Sequence, residues 1–202
     1  MVEIVLEMFI CGFAAICLMV VHELSKGIVY KFIQYKAGCK RSYMHSIWEV
    51  YRYIDPVGVI LAITSHVVFS KPYMFRIQDK RTNRIIGFTG FFVIALCFLG
   101  SVFAIRCHVF GVDGLYTLNG NGIGPKVITL FLQYIAILSG GMFLTNLFPV
   151  STFDMGLIIA GFSSHKYLNL IKKDGIIKMI YILVVLLDLM NYGVYRLLSV
   201  IL

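Results

Sequence analysis

The stretch IIGFTGFFVIALCFLGSVFAI, Ile85–Ile105, decides the fold class. It runs for 21 residues without a charge, and about 20 mainly apolar residues suffice for a helix to cross the roughly 30 Å hydrocarbon core of a bilayer. Val127–Phe148 is a second uncharged run, of 22 residues. Ile4–Val21 is broken only by Glu7 and is predicted to continue as helix through His22 to Phe32. Ile176–Leu202 carries Lys178, Asp188 and Arg196 and still reads as a span, with Asp188 expected to face protein instead of lipid. Val57–Phe69 is apolar but only 13 residues long.

The composition agrees with these runs. Of 202 residues 59% are hydrophobic and 14% charged, and the mean hydropathy is +0.87, whereas soluble domains carry about 25% charged residues. An ordinary soluble globule, a disordered chain and a collagen-like fibre are excluded. The five cysteines, Cys11, Cys17, Cys39, Cys97 and Cys107, form no CxxC pair, so neither a disulfide framework nor a zinc ribbon is indicated. Met1-Val2-Glu3 lacks the positive start of a cleavable signal peptide, so the first apolar segment is expected to stay in the mature chain.

Charge sets the expected topology. The net charge is +8, and 14 of the 18 lysines and arginines fall in three segments, residues 31–56, 70–84 and 164–178. The segment 106–126 holds only Arg106 and Lys126. Basic residues stay on the cytoplasmic side of a membrane and attract anionic lipid there. The expectation is therefore an all-α polytopic membrane protein, one membrane domain over residues 1–202. Its spans fall at about 4–32, 85–105, 127–148 and 176–202, and its cytoplasmic basic loops at 33–56, 70–84 and 164–175. The N-terminus lies outside, in the cell membrane reading. Val57–Phe69 is flanked by two of these loops and is expected to dip in and return. Residues Gly38–Arg52, with Trp48 and several tyrosines among basic residues, suggest an interfacial hairpin or helix. Asn119-Gly-Asn-Gly-Ile-Gly-Pro125 reads as an external turn and not a phosphate cradle. Nucleic acid is not an expected partner.

With this topology the first and third spans end on one side, at His22–Lys26 and Asn146–Asp154. The first of these, His22-Glu23-Leu24-Ser25-Lys26, is one residue away from H-E-x-x-H, in which two histidines on one helix face bind zinc and the glutamate activates water. It also reads as a polar helix end with Glu23 and Lys26 paired at i, i+3. The second is Asn146-Leu-Phe-Pro149-Val-Ser-Thr-Phe-Asp154-Met-Gly156.

Together these elements resemble the site-2 protease family of intramembrane zinc metalloproteases. Tyr53-Ile-Asp55-Pro56-Val-Gly58, followed by a short apolar segment and Lys71-Pro72, is similar to an element of a compact branch of that family. The resemblance covers roughly residues 14–160. It implies His22 and Asp154 as zinc ligands, Glu23 as the catalytic general base, and Asn146 and Pro149 as the substrate-orienting, helix-breaking part of the second motif. Pro149 is expected to leave Asp154 in an irregular, partly hydrated stretch.

The chain departs from the family at telling places. Lys26 replaces the second histidine, Thr89-Gly90-Phe91-Phe92-Val93-Ile94 stands where the family has A-G-P-x-x-N, and Thr152 stands where a proline is usual. A catalytic zinc needs three protein ligands plus water, and His22 and Asp154 are two. His45 and His66 are candidates for a replacement ligand. The alternative is that Lys26 and Asp154 pair across the site and bridge the two spans in place of zinc. Three functions follow from this sequence. The leading one is a catalytically inactive pseudoprotease that binds or holds a membrane-spanning segment of a partner and needs no cofactor. The second is an active zinc metalloendopeptidase with an atypical metal site. The third is a small transporter component or assembly factor using Asp188, Asp154 and Lys26 as a polar relay.

Overall fold

The computed structural model describes residues 2–37, 49–72, 79–107 and 123–201. The fold is all-α, and among the described residues there is no strand. Helix α1 covers Val2–Lys36, a single 3-10 turn covers Val50–Tyr53, and α2 covers Pro56–Ser65. Then come α3 at Lys80–Arg106, α4 at Ile123–Leu147, α5 at Asp154–Phe162, α6 at Ser164–Leu186 and α7 at Leu189–Ile201. Trp48, His45 and most of the Gly38–Arg52 segment lie outside the described residues, as does Asn119–Gly122 of the glycine-rich turn.

Three helices, α1, α3 and α4, are long and apolar enough to cross a membrane, and the α6–α7 pair makes a fourth candidate bent by 63°. The exposed side of α3 explains what solvent this surface meets. Phe88, Phe92, Leu96, Leu99 and Phe103 recur every three or four residues, and Phe92 is 64% exposed. A continuous apolar helix face turned outward suits lipid and not water. The interior reverses the pattern. Ala14, Ala15, Leu18 and Met19 of α1 are buried against Ala62, Ile94, Leu138 and Met142, and the two alanines let the helix backbones approach closely.

The expected last span, 176–202, is corrected in two ways. Helix α6 starts at Ser164, so residues 164–175 are helical and not a loop. The chain also breaks between α6 and α7, where Asp188 adopts a left-handed φ of 56°, a conformation aspartate tolerates better than most residues. Asp188 is exposed, its Oδ1 accepts a 2.6 Å hydrogen bond from Asn191 Nδ2, and its charge lies near enough to act on the His66 ring. The break places this carboxylate at a helix end instead of inside an apolar turn.

The segment after Tyr53 is a helix that turns back. Asp55 caps α2 by accepting from Val57 N at 2.9 Å and Gly58 N at 3.5 Å, with Pro56 at the first helical position, where no N–H is needed. Ten residues rise only about 15 Å. His66 ends the helix in the left-handed region, with its N–H on Ala62 O at 3.2 Å. The returning chain passes so near Gly58 that a Cβ there would meet the Phe69 carbonyl and lie 2.8 Å from the Met19 methyl. Lys71 N then bonds Tyr53 O at 3.2 Å, joining the way in to the way out.

Helix α5 lies antiparallel on α3 along a face of small residues. A Cβ on Gly90 would strike the Asp154 carboxylate, one on Gly87 would reach Ile158 at 2.6 Å, and one on Gly161 would strike the Arg84 stem. These three contacts, in reverse order along the two helices, fix where Asp154 can sit.

Candidate functional site

His22, Glu23 and Lys26 occupy one face of α1, because i and i+4 stack on a helix and i+1 and i+4 are three apart. Asp154 opens α5, 132 residues after His22. All four side chains are buried, at 1%, 1%, 5% and 0% exposure in the order His22, Glu23, Lys26, Asp154. Buried charges persist only when paired and hydrogen-bonded, and here each is. The Lys26 ammonium lies 2.9 Å from Asp154 Oδ1 and 2.5 Å from Glu23 Oε1. His22 Nε2 is 2.8 Å from Asp154 Oδ2. An ionised carboxylate only accepts, so this contact puts a proton on Nε2. On the other edge of the ring, Nδ1 lies 3.0 Å from Ser70 Oγ and 3.2 Å from Glu23 Oε1. Ser70 Oγ in turn donates to Glu23 Oε1 at 2.7 Å.

The site thus closes into a ring of Asp154, His22, Ser70, Glu23 and Lys26. It ties α1, the returning segment after α2, and α5 together. Removing one member of such a buried pair leaves an uncompensated charge, which costs about 3–5 kcal/mol.

Supporting contacts set the aspartate's position. Asn146, in the last turn of α4, donates from Nδ2 to Met142 O at 3.0 Å and accepts Asp154 N at 3.3 Å. The first N–H groups of a helix have no partner within it, and Asn146 takes up the first one of α5. Asn146 is 4% exposed with both ends of its amide engaged inside the protein. Pro149 is exposed and follows the end of α4. The expectation that Asp154 sits in an irregular, partly hydrated stretch is overturned. It is the first residue of a helix and is fully buried, because Gly90 leaves room for its carboxylate, the Lys26 ammonium neutralises it and His22 hydrogen-bonds it.

The remaining candidates lie elsewhere. The His66 ring stacks on Tyr134, with centroids 6.1 Å apart and planes 11° from parallel. His45 is outside the described residues. Asp188 bonds the Asn191 amide at the α6–α7 break. Sequence reasoning missed two residues here. Ser70 stands directly before Lys71-Pro72, and Gly90 lies within the Thr89–Ile94 segment. Their positions beside matched elements were the available clue, but neither residue type announces a role.

The donor set does not fit a zinc ion. A structural or catalytic zinc takes three or four lone-pair donors about 2.0–2.3 Å away. Here His22 and Asp154, the two residues expected as zinc ligands, are hydrogen-bonded directly to each other, and the ammonium of Lys26 fills the space between the carboxylates. Among the described residues no group of three or more His, Cys, Asp or Glu side chains is arranged to hold a metal. No protein-family model, curated protein or solved structure matches the chain.

Proposed function

We propose that the chain is a site-2-protease-like membrane protein that has given up hydrolysis and holds a membrane-spanning segment of a partner protein. The observation that carries this reading is the Lys26 ammonium, bonded to Glu23 and Asp154 at 2.5 and 2.9 Å, where the family has a metal. Glu23 Oε1 is engaged by Lys26 and Ser70, and a carboxylate paired with an ammonium is a poorer base toward water. In this reading the N-terminus is outside, the basic segments face the cytoplasm, and those segments rest on anionic lipid of the cell membrane. Support for the family likeness comes from two elements far apart in sequence, His22-Glu23 and Asp154, meeting at hydrogen-bond distance.

The test is metal content and cleavage of a membrane-spanning reporter by the purified chain in liposomes. The expected results are no stoichiometric zinc and no cleavage, with metal binding appearing in Lys26→His. One zinc per chain, lost in His22→Ala or Asp154→Ala, together with cleavage lost in Glu23→Gln, would overturn the proposal in favour of an active protease.

A further inference from the structure

We propose that the groove between the start of α3 and the end of α5 binds one anionic phospholipid, its phosphate on Arg81 and Arg84 and an acyl chain along Ile85, Phe88 and Phe92. The inference rests on the membrane character of the fold and not on the loss of hydrolysis.

The groove is open and holds about 710 Å³. Its wall is apolar apart from Thr89 and the two arginines, which sit together at one end. That pattern, one cationic end on an otherwise greasy trough, matches an amphiphile with a single anionic head. From Arg81 to Phe92 is 11 residues of helix, about 16 Å, which is close to half of the roughly 30 Å hydrocarbon core and so to the depth of one leaflet. The trough therefore has the reach of one acyl chain and not of a spanning helix.

The cations are free to take a phosphate. Arg84 lies over the Phe162 ring at 5.4 Å, and its Nε is buried without a hydrogen-bond partner. Among the described residues no carboxylate lies within ion-pair distance of Arg81 or Arg84, and the Asp79 charge acts on Arg81 only through space. The nearest acidic group along the chain, Asp79, is committed to the start of α3: it accepts from Thr82 N at 2.9 Å and Arg81 N at 3.2 Å, and from the Thr82 hydroxyl. Those bonds, the Thr82 hydroxyl first, hold its carboxyl below the usual range. With Lys80 the helix start carries three cations against that one carboxylate. Guanidinium is the side chain best matched to phosphate oxygens. Gly161 contributes by its lack of a side chain, because a Cβ there would strike the Arg84 stem.

Native mass spectrometry of the full chain in neutral detergent tests this, with phosphatidylglycerol, phosphatidylcholine and inorganic phosphate as separate probes. Phosphatidylglycerol is expected to bind at one per chain and in preference to phosphatidylcholine. Arg81→Gln should weaken it about fivefold, and Arg81→Gln with Arg84→Gln about 25-fold, from the worth of one basic residue at a charged membrane surface. Arg84→Lys keeps the charge and the stem, so it separates loss of binding from loss of folding. Phe92→Ser should weaken the lipid without affecting any binding of inorganic phosphate. Equal binding of phosphatidylcholine would overturn the proposal, as would wild-type affinity in the double variant. So would inorganic phosphate binding as tightly as the lipid, which would mean a bare phosphate site. A comparable loss in Lys172→Gln with Lys173→Gln, two exposed lysines on α6, would mean nonspecific charge and would also overturn it.

Discussion

Asp154 and Asp188 both stand at the edge of a helix in the apolar C-terminal half of the chain, and the fold treats them in opposite ways. Asp154 is fully buried and meets the Lys26 ammonium and the His22 imidazole. Asp188 is exposed at the α6–α7 break and bonds an amide. An apolar protein can keep a carboxylate by neutralising it inside or by ending a helix so that it emerges. The first solution bonds elements distant in sequence, and the second hydrogen-bonds a residue three positions away. A site that joins three parts of the chain can be built only on the first.

The comparison is broken most severely at Lys26. Lys26→Met leaves Glu23 and Asp154 facing each other without the ammonium, and unfolding in mixed micelles should show a loss of about 3–5 kcal/mol. Combined with Asp154→Asn the losses should be non-additive by at least about 0.5 kcal/mol, since the two side chains are in contact. A loss under about 1 kcal/mol, within the ordinary range for a substitution at no special site, would show that the pair does not hold the fold. Ser70→Ala is expected to cost less, about 1.5–3 kcal/mol, the worth of a hydrogen bond to a charged group. Proteolysis should then find the returning segment after α2 easier to cut than in the parent, and unchanged protection would remove Ser70 from the ring. The smallest effect belongs to Asp188→Asn. Asparagine also accepts the left-handed φ, no ion pair is lost, and the change should stay within about 0.5 kcal/mol. A loss in Asp188→Asn rivalling that in Lys26→Met would erase the distinction between the two aspartates.

Much of the site was legible beforehand for a physical reason. A lysine one helix turn after His22 and an aspartate at the end of another apolar run make sense in an apolar protein if the two charges meet, and the structure brings Lys26 and Asp154 to 2.9 Å. The D-P-x-G element was read as a motif, and its local physics is now visible in the Asp55 cap, the Pro56 start and the close approach at Gly58. Ser70 and Gly90 were not legible as parts of the site. A serine after an apolar run and a glycine in a span are common, and only their neighbours in space make them parts of the ring. The break at Asp188 was missed because hydropathy averages over a window and cannot see one residue's φ.

By itself the sequence determined the class and the number of candidate spans. With no water in the bilayer core each span must satisfy its own backbone, so length and apolar content, which are local, are enough. It also determined which charges were out of place. Only the tertiary structure decided how those charges are resolved. The distances among His22, Glu23, Lys26, Ser70 and Asp154 depend on how α1, the returning segment and α5 pack, and on the room left at Gly90. Packing of that kind is set by shape across more than a hundred residues of chain, which no local pattern of hydropathy encodes.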